Sequence, residues 1–145
     1  MIKIKNNENL DICSKCGGKC CNFMPGINHP EDFNNDKEKM KVALNNNYCI
    51  DCWEGGEEEN IYYIRPRTEK AKNNKVNYSW GRDKCMFLSK YITKCSLEFD
   101  KRPYECKILI PKNNIADICK GPNSKWESAN WWKNYQEFLK EEINK

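Results

Sequence analysis

The chain has 145 residues, 39% of them hydrophobic with cysteine counted, a mean hydropathy of −0.96 and a formal net charge of +4. That length suits one domain over 1–145, and no apolar run approaches the ~18 residues that a membrane span needs. The 25 basic residues are scattered among 21 acids, so no concentrated basic face points to nucleic acid.

The first residues, Met1 to Asn7, lack the apolar stretch of a signal peptide, and a reducing, cytoplasmic setting is the expectation. There, ten cysteines read as ligands or reactive thiols before they read as disulfides. A chain this polar gains little from apolar burial, so metal ligation is expected to supply part of the folding free energy.

Four of the cysteines fall in one short block, Cys13-Ser-Lys-Cys16-Gly-Gly-Lys-Cys20-Cys21. A Cys-x2-Cys loop aims two thiolates at one centre, and Gly17-Gly18 lets the backbone turn tightly beside it. Adjacent Cys20 and Cys21 diverge, so both rarely serve one tetrahedral ion. Dense sulfur of this kind suits a soft metal ion, an iron–sulfur cluster or a disulfide framework, and the spacing favours metal.

Turn chemistry follows at Pro25-Gly26. His29-Pro30-Glu31-Asp32 then predicts a helix start, with proline at the first helical position and acids at the positive end. Phe33, Met40 and Leu44 form its apolar stripe, and Asn45-Asn46-Asn47 ends it. His29, the sole histidine, reads as a loop residue before that helix rather than as a ligand. Cys49 and Cys52 form a second Cys-x2-Cys, a zinc half-site or a redox pair if taken alone. The acidic turn after it does not supply the helix that a thioredoxin-type site requires. Ile61 to Thr68 and Val76 to Trp80 are β-rich and predict a hairpin with a long loop, Pro66 marking an edge strand. Its aromatics read as core.

The second block spreads Cys85, Cys95, Cys106 and Cys119 with nine to twelve residues between neighbours. Asp100 is placed to cap a short helix from near Lys101, with Pro103 in its first turn and Cys106 within reach of the helix dipole. Ser124-Lys-Trp-Glu127 is a capping box that predicts one last helix with an aromatic-heavy face, Trp126, Trp131, Trp132, Tyr135 and Phe138. Core packing is the simplest use of that face; exposed, it would be a surface for a protein partner. The fold class expected is α+β: a small, irregular, cysteine-rich domain, mostly helical with a short hairpin and a metal site between the two blocks.

Together, Cys-x2-Cys-Gly-Gly-x-Cys-Cys and Cys-x-Phe-Leu…Cys-Ser-Leu…Arg-Pro-x2-Cys resemble the CxxCxxCC, or YkgJ-like, cysteine-cluster family. That family is described as zinc- or iron-chelating. The segments Met24-Pro25-Gly26, Pro30-Glu31-Asp32, Tyr63 to Arg67 and Ser79-Trp80-Gly81 resemble one branch of it. The resemblance implies Cys13, Cys16, Cys20, Cys21, Cys85, Cys95 and Cys106 as metal ligands, with Cys119 as an eighth. Cys49 and Cys52 stand outside the pattern. The first block also has three residues between Cys16 and Cys20 where the family's name implies two.

The family is related to the flagellin lysine N-methylase, but this chain has no glycine-rich cofactor fingerprint after a strand and no Cys-x3-Cys-x2-Cys order. The expected function is therefore a metal-binding protein with a [4Fe–4S] cluster favoured and Zn2+ as the alternative. Wide cysteine separation suits the larger body of a cluster, whereas zinc sites are usually built from paired knuckles. The other readings are an enzyme of protein modification or redox type that uses the cluster, and a structural zinc module.

Overall fold

The computed structural model of the chain describes residues 25–53, 60–78, 83–88, 96–97, 99–107 and 125–145. These form a small α+β arrangement of short helices and turns around a two-stranded antiparallel hairpin. No helix among the described residues is long and apolar enough to cross a membrane.

A 3-10 turn, Pro30–Phe33, opens the described chain after His29. Asn34 and Asn35 follow, both at φ 54°, and then α1 (Lys37–Leu44) starts with the Asp36 side chain accepting from Glu38 N–H at 2.9 Å. One helix was expected here and two pieces are found. Paired asparagines tolerate the left-handed region better than most residues, and they redirect the chain between two short caps. The stripe survives the break: Phe33, Met40 and Leu44 are all buried.

The hairpin pairs β1 (Tyr48–Trp53) with β2 (Ile61–Pro66), setting Ile50 opposite Ile64. The sequence pairing of Ile61–Thr68 with Val76–Trp80 is thus corrected. Val76 adds only an isolated parallel bridge, where Ile50 N–H donates to Lys75 O at 2.8 Å and Asn77 N–H donates to Ile50 O at 3.0 Å. The polar stretch after Thr68 folds into successive turns instead of a hairpin loop. β1 escaped notice because both of its faces are covered: Cys49, Ile50 and Asp51 are buried in succession, so no alternation shows.

The outer edge of β2 is also occupied. Ile64 O accepts from Asn28 N–H at 3.0 Å, the Gln136 side-chain amide bonds both the N–H and the carbonyl of Tyr62, and Pro66 has no N–H to offer. Two buried arginines fasten the hairpin. Arg65 Nε lies 2.9 Å from Asp51 Oδ2, and its other nitrogens donate to Pro66 O and Asn77 O. Arg67 donates to Leu44 O at the end of α1, to Tyr48 O and to Lys72 O.

Next in the chain is α2 (Tyr104–Lys107), preceded by a 3-10 turn, Phe99–Lys101. The C-terminal stretch is α3 (Lys125–Asn130), a 3-10 turn Lys133–Tyr135, and α4 (Gln136–Ile143). A single helix was expected. It breaks at Trp131-Trp132 because the two ends dock on different partners: fully buried Trp132 donates from Nε1 to Asn28 O at 2.6 Å, while Gln136 binds β2. Ser124, the expected cap, lies outside the described residues. Trp132 and Phe138 are buried, and Trp126, Trp131 and Tyr135 pack partly buried against the core, which is the core-packing use of that face.

Candidate metal centre

Of the eight cysteines expected to bind metal, Cys85 and Cys106 are described; Cys13, Cys16, Cys20, Cys21, Cys95 and Cys119 lie outside the described residues. Cys106 is the third residue of α2. That helix begins at Tyr104, after Pro103, and not near Lys101. Its cap is not Asp100. Tyr104 N–H donates to Asp32 Oδ2 at 2.9 Å, and the same oxygen accepts from His29 N–H and from Asn28 Nδ2, each at 2.9 Å. One turn of helix has a small dipole, so the argument for a dipole-stabilised Cys106 thiolate loses its basis.

The neighbouring residue, Glu105, makes a closed pair with Ile27. Its N–H donates to Ile27 O at 3.2 Å, and its Oε1 accepts from Ile27 N–H at 3.1 Å. Both residues are buried. This clasp and the Asp32 cap hold the turn carrying Cys106 against the chain that leaves the first cysteine block. At Gly26 the approach is closest. A Cβ there would sit 2.5 Å from Cys106 Sγ and 3.2 Å from Cys106 N. The space a side chain would fill belongs to the Cys106 sulfur.

Cys85 is buried beside the continuation of β2. It forms an antiparallel bridge with Thr68, flanked by Glu69 N–H to Lys84 O at 3.0 Å and Met86 N–H to Arg67 O at 3.0 Å. Further bonds run from this segment toward Cys106. Ser96 N–H donates to Phe87 O at 2.6 Å, and Arg102 Nε donates to Leu97 O at 3.0 Å. Among the described residues, no three of His, Cys, Asp and Glu are grouped closely enough to hold a metal ion.

No family model, curated protein or solved structure matches the chain.

Cys49 and Cys52 are placed clearly. Both lie on β1, three positions apart, so they face opposite sides of the strand with Cα atoms about 10 Å apart. A disulfide needs Cα atoms within about 7 Å, and divergent thiols cannot grip one ion. Burial pushes the Cys49 thiol up to about 11 against the opposing pull of Arg65, so at neutral pH it stays protonated; its Sγ lies 3.8 Å from Pro66 O. As a redox pair or a zinc half-site, these two residues have the wrong geometry.

His29 is likewise committed. Nδ1 accepts from Glu31 N–H at 3.0 Å, which makes His29 the cap of the first 3-10 turn and leaves the proton on Nε2. Its ring packs against Tyr104 and Trp131, with centroids 5.3 and 5.1 Å away. Sequence reasoning missed three contributors. Gly26 read only as a turn residue and Asp32 only as a helix-start acid. Glu105 carried no local signal, because its partner Ile27 lies 78 residues away.

Proposed function

We propose that the chain is a metal-binding protein that holds an iron–sulfur cluster, with zinc as the alternative, through thiolates of both cysteine blocks. This is what its resemblance to the CxxCxxCC cysteine-cluster family implies. Cys13, Cys16, Cys20 and Cys21 would supply one side, and Cys85, Cys95, Cys106 and Cys119 the other, of one four-thiolate site or two neighbouring ones in a reducing, cytoplasmic setting. The observation that carries the reading is the clasp at Gly26. Five residues after Cys21, the backbone lies against Cys106 Sγ with no room for a side chain. A bound [4Fe–4S] centre supplies electron transfer, or a Lewis-acidic iron where one position is left open.

Four thiolates around either Zn2+ or a [4Fe–4S]2+ cluster form a unit of charge −2, so one loaded site takes the formal charge of the chain from +4 to +2 and two take it to 0. The test is anaerobic purification with iron, sulfide and zinc measured per chain. Brown protein absorbing near roughly 400 nm, with iron and sulfide in equal amounts, is expected. Colourless protein with stoichiometric zinc, unable to take up a cluster from iron and sulfide, moves the assignment to a structural zinc module. Protein that holds neither metal overturns the reading.

A further inference from the structure

We infer that Gly26 is a positioning residue for this metal centre: the side chain it lacks sets the direction of the Cys106 sulfur. The inference rests on the function proposed above. Gly26 does not occupy the left-handed region, so another residue could adopt its backbone. The glycine is required for space. The Cβ position lies 2.5 Å from Cys106 Sγ, 3.2 Å from Cys106 N and 3.4 Å from Glu105 Cβ.

The backbones on either side cannot retreat far. Pro25 is buried, Ile27 and Glu105 hold each other by two hydrogen bonds, and Asp32 ties down Tyr104. The part that can yield is the sulfur, by rotation of the Cys106 side chain to another staggered well. A metal–sulfur bond tolerates a displacement of only about 0.2 Å. A methyl group at position 26 therefore costs the fold less than it costs the metal site. That separation of effects distinguishes a positioning residue from one that only fills space.

The test uses the full chain as wild type, Gly26→Ala, Cys106→Ala and the double variant. Reduced protein is titrated with Co2+ and followed by thiolate-to-metal charge-transfer absorption. Gly26→Ala is expected to weaken cobalt binding at least tenfold and to dim the charge-transfer band, with the far-ultraviolet circular dichroism unchanged. Cys106→Ala should do the same, and the double variant should be no weaker than Cys106→Ala alone.

Thermal melting in chelator provides a readout without metal. Gly26→Ala should melt below wild type, and adding Cys106→Ala should relieve that defect, since the sulfur it collides with is gone. Cobalt binding by Gly26→Ala equal to wild type, or a melting defect that Cys106→Ala leaves in place, overturns this inference alone. A wild-type chain that takes up no cobalt overturns this inference, and one that also takes up no cluster from iron and sulfide overturns the proposed function with it.

Discussion

His29 spends one ring nitrogen on its own backbone, and that choice has a measurable consequence. Nδ1 must stay unprotonated to accept the Glu31 N–H. Burial lowers the pKa of the ring, opposed by the nearby charges of Asp32 and Glu31. The folded value thus lies below the ordinary value of about 6.5, and below that pH the unfolded chain binds more protons. The stability from neutral His29 is complete above about pH 6.5 and is lost as pH falls through the folded value. Because the chain has one histidine, nuclear magnetic resonance of a single imidazole reads this directly. The expected result is an Nε2–H tautomer at neutral pH with a titration midpoint below about 6.5. His29→Asn, which can still accept the capping bond, should flatten the fall of melting temperature on acidification. A midpoint above the ordinary value would remove His29 from its capping role.

Among the elements, the hairpin depends most on a polar interior. Asp51 and Arg65 are nearly fully buried, and the Tyr63 hydroxyl also bonds Asp51. Removing one partner leaves the other charged in a site closed to water. Asp51→Ala should cost about 3–5 kcal/mol in denaturant unfolding. Asp51→Ala combined with Arg65→Met should recover much of that loss, since no isolated charge remains. A single variant of wild-type stability would mean that water reaches the site.

This scale also shows what could be read from the chain. Pro30, the Phe33–Met40–Leu44 stripe and the asparagine stop were legible because their partners are local. The hairpin was misread because the Cys-x2-Cys spacing of Cys49 and Cys52 suggested metal chemistry where the residues serve a strand buried on both faces. The break at Trp131-Trp132, the Asp32 cap on α2 and the Glu105–Ile27 clasp depend on contacts across 72 to 104 residues, which no local pattern records. The cysteine blocks stood out by spacing, but six of their eight cysteines lie outside the described residues. The close approach of Gly26 to Cys106 was not legible, because a Pro-Gly turn already accounts for a glycine there.

Across the described residues, Ile27, Met40, Leu44, Ile50, Ile64 and Trp132 meet in one buried cluster built from apolar side chains. Such a cluster can hold together by apolar burial, so if the proposed metal is bound, its removal is expected to lower the melting temperature while leaving a cooperative transition, unlike a zinc finger, which unfolds without its ion. Chelation under reducing conditions, followed by calorimetry, checks this. Disappearance of the transition would show that the metal organises the core as well.

The bond from Trp132 to the Asn28 carbonyl also sets an order in time. It spans 104 residues, and a ribosome adding about 5–20 residues per second needs roughly 5–20 s to cover that distance. Asn28 must wait that long for the indole that anchors it. During that interval the thiols of Cys13 to Cys21 have already been made, so a mistimed oxidant meets these cysteines before the last helices exist.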